Sequence, residues 1–286
     1  MAEMWQKGGP TGWVLWRARM RHELRRTLAA YPSVYLPVMR RKVPGSVLGP
    51  GTDLVIDGFT RSAVTFTVVA FQLAQNDHVR VAHHLHAPAH LIAAAKQGVP
   101  CLLPIREPKG AILSALIREP CITPKLFLKS YVDFYQRIAP YRDHFVIATF
   151  EQATTNLGSA IGHLNTRFGT RFRTFQHTEH NERAVFALIE ERARRPPWEQ
   201  LIGGFLSGAM SADEFREATR PYRKIDPDGH SSPVPEARVQ RPSDERRALA
   251  RSIEPHYRAP NLMALREHAE LLYELFAAST ESTLSP

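Results

Sequence analysis

Three groups of residues have the types and spacing to do chemistry. The first is Thr60, Arg61, Ser62 and Thr65, small hydroxyls around one cation just after the apolar run Leu54–Ile56. The second is Arg106, Glu107, Pro108 and Lys109, followed by Ser114; the third is the histidine cluster His83, His84, His86 and His90. Hydroxyls and a guanidinium at a loop that opens a helix favour a bound phosphate or sulfate, because free backbone N–H groups and the helix dipole converge there. The glycine-lysine signature of nucleotide-triphosphate loops does not follow Gly58. Imidazoles transfer protons or bind metals, but no i, i+4 pair on a helix with supporting carboxylates forms a zinc set.

The elements that position these groups are legible from period. Leu54–Ile56 predicts a strand, and Phe66, Val69, Ala70 and Leu73 at i, i+3, i+4 and i+7 predict a helix. Residues 78–82 predict a second strand, and Pro88 to Gly98 a helix bounded by N1 proline and C′ glycine. Residues 100–105 predict a third strand, leading through the Arg106 loop into a helix that carries Ser114, the strand-loop-helix pattern again. A helix over 126–138, a strand over 145–150 ending at Glu151, and a helix over 157–168 closed by Gly169 follow. Beyond Thr170 helices alone are predicted, over 182–195, 198–207, from Ser211 with Glu214 as its capping box, and over 262–276. Strands alternating with helices imply a mostly parallel sheet covered on both faces.

Arg106, Pro108 and Ser114 give R-x-P-x-x-x-x-x-S, which resembles the 3′-phosphate motif of sulfotransferases that use 3′-phosphoadenosine 5′-phosphosulfate. Arg61, Ser62 and Thr65 stand where that family's 5′-phosphosulfate loop, typically P-K-S-G-T-T, has its lysine, serine and second threonine. Phe150–Glu151 and Phe168–Gly169 resemble the family's Y-E-D-L and F-L-G segments. The resemblance spans residues 54–169. It implies a P-loop-related three-layer α/β fold, with a mostly parallel central sheet flanked by helices and a helical C-terminal portion.

It also implies roles. Arg61 would steady the sulfonate and the leaving 5′-phosphate, Ser62 and Thr65 would donate hydroxyls, and Ala63 and Val64 would complete the loop around the donor. Arg106 and Ser114 would hold the 3′-phosphate. For the general base, His86 lies two residues before Pro88 as in a K-T-H-x-P-like segment, whereas His84 has the family's usual distance to Arg106; both remain candidates. The departures are specific. Arg61 replaces the usual lysine, as in the tyrosylprotein branch, and Ala63 and Val64 replace glycine and threonine. The C-terminal R-K-G-x-x-G is not found, and Arg223 and Lys224 are its nearest substitutes.

The 286 residues suit a basic helical segment over 1–50 and one α/β domain over 51–286, with a Pro-rich flexible loop at about 221–242. Trp16, Met20, Leu24 and Leu28 recur every four residues on a predicted helix over 14–31, interleaved with arginines; a solvated helix at the domain's edge is the simplest account. No apolar run is long enough to span a bilayer and no signal-peptide core appears, so a cytoplasmic location is expected. Cys101 and Cys121 match neither a metal spacing nor a disulfide framework.

The net charge of +9 favours anionic partners. Sulfuryl transfer to a hydroxyl or amine of a small molecule or glycan, with 3′-phosphoadenosine 5′-phosphosulfate as co-substrate and no metal, is the leading expectation. The alternatives are a phosphotransferase, which the missing loop lysine disfavours, and a nucleic-acid- or membrane-surface-binding protein that uses the basic N-terminal segment; of its targets, nucleic acid is disfavoured.

Overall fold

Four short parallel strands form the centre of the computed structural model, which describes residues 12–194, 211 and 243–281. They are β1 (Leu54–Ile56), β2 (Val81–His83), β3 (Cys101–Ile105) and β4 (Val146–Thr149), in the order β2-β1-β3-β4. Val55 pairs with Ala82 on one side and Cys101 on the other, and Leu103 pairs with Ile147. Every residue of β1 and β3 is buried, as expected where helices cover both faces.

Successive side chains enter different cores, which is the two-residue period of a strand. Val55, Leu103 and Ile147 join one apolar cluster with α2 (Pro32–Lys42), α4 (Pro88–Gln97), α5 (Pro108–Arg118), α6 (Pro124–Ile138) and α11 (Met263–Glu281). Leu54, Ile56 and Leu102 join the other, against α3 (Val64–Ala74), α7 (Phe150–Thr155), α8 (Leu157–Phe168) and α9 (Glu179–Arg194). Helix, sheet and helix make three layers, and α11 completes the helical C-terminal part. No helix among the described residues is long and apolar enough to cross a membrane.

The expected strand-loop-helix units are present with small shifts. Residues 78–80 precede β2, and Phe150 opens α7 instead of ending β4, because the Thr149 and Gln152 side chains form a reciprocal capping box. The helix expected over 14–31 is α1 (Gly12–Leu28). Three of the described helices had no sequence counterpart: α2, with Pro37 inside it, α7, and α10 (Asp244–Tyr257), with Pro255 inside it. The helices expected over 198–207 and from Ser211, and the loop over 221–242, fall outside the described residues apart from Ser211 itself.

Connectivity sets the site. From β1 the chain passes to β2 on one side, then returns to β3 on the other, so the loops after β1 and β3 diverge at a topological switch point. In open parallel sheets ligands bind in that crevice, outside the strands' carboxyl ends. Gly58 begins the first loop against β3, where an added β-carbon would overlap the Pro104 carbonyl oxygen.

Candidate active site

The loop between β1 and α3 is wound tightly. Arg61 and Ala63 both adopt left-handed backbone conformations, each with φ 67°. Ala63 is the N-cap residue of α3 and offers no side-chain cap, and the first helical bond runs from the Thr67 N–H to its carbonyl. The amides of Val64, Thr65 and Phe66 therefore precede the hydrogen-bonded ladder, as at any helix N-terminus. Ala63 stands where the resemblance has glycine, and a β-carbon in this conformation is strained. Ala63→Gly should accordingly raise stability by about 1 kcal/mol in urea unfolding; a loss would mean that the methyl group packs better than the backbone suffers.

A cavity of about 870 Å³ opens over this loop. Arg61, Ala63, Val64, Thr65, Arg106 and Ser114 line it, and so do His84 and His86. Ser62 does not: it is fully buried, and its N–H is bound to the Phe59 carbonyl. Among the described residues to which the resemblance assigns a donor-binding or base role, it alone is not part of the lining.

The loop after β1 and helix α10 both reach Ser114 on α5. Its Oγ accepts from Arg61 Nε at 2.9 Å and from Arg246 Nη2 at 3.4 Å. Arg106 donates from Nη1 to the Arg61 carbonyl and lies over the Phe150 ring, 4.1 Å from its centroid. Burial and the charges of Arg246, Arg118 and Arg106 push the Arg61 pKa down to about 9. Burial likewise lowers the Arg106 pKa against the opposing pull of Glu107. A cluster of guanidiniums that depress one another is a site short of negative charge, and a multiply charged anion satisfies it.

Arg246, from the first turn of α10, was absent from the sequence reading. The only local signal is Ser243, whose side chain accepts from the Arg246 N–H as a helix cap. Arg223 and Lys224, the expected C-terminal cations, lie outside the described residues.

The histidines separate into distinct roles. His90 Nε2 accepts from the Leu48 N–H at 3.2 Å, so Nδ1 carries the proton that it donates to Asp57 at 2.7 Å. Asp57, also missed in the sequence, is fully buried and accepts from the Gly58, Leu85 and His86 amides. Burial raises its pKa, but the hydrogen bonds of His90 and Gly58 and the proximity of His86 outweigh that and hold it at about 2. This carboxylate ties the loop after β2 to the loop after β1.

His86 Nδ1 lies 2.9 Å from the Gly58 carbonyl, which can only accept, so the proton is on Nδ1 and Nε2 is the basic nitrogen. Burial lowers its pKa despite Asp57. Both His84 nitrogens are engaged, Nε2 with Thr65 Oγ1 at 2.9 Å and Nδ1 with His83 Nδ1 at 2.8 Å. No metal-holding cluster of histidine, cysteine and carboxylate occurs among the described residues. Burial also raises the Cys101 thiol pKa, leaving it unreactive.

Comparison of the chain with protein-family models, with curated proteins and with solved structures finds no match.

Proposed function

We propose that this chain is a sulfotransferase that uses 3′-phosphoadenosine 5′-phosphosulfate to modify a hydroxyl or amine. The observation that carries the proposal is Ser114: motif residues 53 positions apart in sequence, Arg61 and Ser114, are hydrogen-bonded, with Arg106 and Arg246 beside them. Two anion-binding loops sharing one cavity suit a ligand with negative charge at two ends. The surplus of guanidiniums supports the fit. When bound, the donor supplies an activated sulfuryl group and a phosphate leaving group.

The chain's part is to bind, orient and move one proton. Arg61 and the α3 amides would hold the 5′ end and stabilise charge as it develops on the leaving oxygen. Arg106, Ser114 and Arg246 would hold the 3′-phosphate. His86 Nε2 would take the acceptor's proton while Nδ1 stays on the Gly58 carbonyl. Thr65, held by His84, would offer its hydroxyl to the donor.

Calorimetric titration with 3′,5′-adenosine bisphosphate tests the assignment without the acceptor. Arg106→Ala and Arg246→Ala should each weaken binding by about 1.5 to 3 kcal/mol, as for hydrogen bonds to charged groups. Adenosine 5′-monophosphate should bind each variant almost as it binds the parent. Equal losses for both nucleotides would remove the 3′-phosphate assignment.

A further inference from the structure

Helix α1 is docked the wrong way round for a helix whose apolar face anchors it. Trp13, Trp16, Met20, Leu24 and Leu28 are all exposed, Trp13 at 63% and Leu24 at 59%. The two indoles stack on each other, 4.9 Å between centroids. The side turned to the domain touches the core through Ala18 and the His22 ring on Phe127, and is otherwise polar. His22 Nε2 is 2.8 Å from Ser130 Oγ, Arg25 donates to the Leu85 carbonyl, and Arg26 is paired with Asp133. These contacts are made without Trp13, Trp16, Met20, Leu24 or Leu28, so the stripe is not needed for docking.

The exposed surface continues through Tyr31 into α2, where Val34 and Val38 are also open to solvent. Residues 12–42 carry eight arginines and lysines against the single carboxylate of Glu23, which pairs with Arg26. Helical spacing sets Arg17 and Arg21 along one flank of the α1 stripe, and Arg41 follows Val34 and Val38 at i+7 and i+3.

From this we infer that the α1–α2 face docks on an anionic membrane surface, with the indoles and aliphatic side chains in the headgroup boundary and the cations against lipid phosphates and carboxylates. Exposed tryptophans beside a cationic border on a helix too polar to cross are the physical requirements for lying in that plane. A second copy of the chain fits poorly, because a twofold contact would set two such cationic segments face to face. The opposite side of α1 places His22, Arg25 and Arg26 on the cavity wall, so docking would bring the cavity close to the bilayer. The inference does not rest on sulfuryl transfer, since vesicle binding requires no nucleotide.

Flotation of the full chain with phosphatidylcholine vesicles, with and without phosphatidylserine, tests it. The chain should bind the anionic vesicles, with a blue shift of tryptophan emission, and leave the neutral ones. Trp16→Ser with Leu24→Ser should weaken that binding at least about tenfold at an unchanged melting midpoint, because the lost apolar contacts are with lipid. Arg21→Gln with Arg41→Gln should reduce the preference for anionic lipid and its sensitivity to salt. Failure to bind, equal binding to both vesicles, or binding indifferent to Trp16→Ser with Leu24→Ser would overturn the inference. So would a concentration-dependent dimer that Leu24→Ser abolishes, which would give the face to a second copy.

Discussion

His86→Ala is expected to slow sulfuryl transfer by roughly 10² to 10⁴-fold while affinity for 3′,5′-adenosine bisphosphate holds, the range for loss of a positioned general base. The expectation rests on the tautomer that Gly58 imposes. With Nδ1–H fixed on a carbonyl, Nε2 keeps its lone pair, and burial favours the neutral ring. The sign follows directly: because the pKa is lowered, the base form persists through neutral pH. The acid limb of turnover should have its midpoint below the ordinary 6.5.

His84→Ala should behave differently. Both its nitrogens are occupied, so removing it frees Thr65 and should weaken donor binding with a smaller effect on transfer. Release of the bisphosphate in single turnovers, with a phenol or water as acceptor, separates the two. A larger transfer defect in His84→Ala than in His86→Ala would reverse the roles.

The elements were legible where sequence distance is short. Strands β1 and β3 announce themselves as apolar runs, and the helices α4 and α8 by terminal Pro88, Gly98 and Gly169. Helices α2 and α10 were hidden by internal prolines, which read locally as breaks although tertiary contacts retain the helix. The periodicity of α1 was visible, but periodicity names an apolar face without saying whether it is buried.

For the site, motif residues on contiguous loops could be read, whereas partners brought in by topology could not. Arg246 reaches Ser114 across 132 residues, and Asp57 reaches His90 across 33. A lone aspartate after a strand has no pattern that separates it from a turn residue. Its meaning lies in the amides that the fold delivers to it.

Asp57→Asn should therefore be the most destabilising single change in this region, costing on the order of 3 to 5 kcal/mol in urea unfolding at pH 7, the range for breaking a buried charged pair. The shape is nearly conserved, but an amide has one acceptor oxygen where the carboxylate has two. Those two now receive the Leu85 and His86 amides, the Gly58 amide and His90 Nδ1. The cost also reaches the chemistry. His84 and His86 have positive φ, 61° and 48°, and Asp57 holds the His86 amide in that strained turn.

The same carboxylate gives an acid signature. Its folded pKa lies below its ordinary 3.8, so its stabilisation is complete above about pH 4 and disappears as pH falls through about 2. The parent should lose about 2 kcal/mol from this group across that window, and Asp57→Asn should lack that component. Unfolding free energies at pH 7 and between pH 4 and pH 2 decide it. If the Asn variant matches the parent at neutral pH and keeps its acid slope, Asp57 does not bind the two loops together, and the preorganisation of His86 must come from another contact.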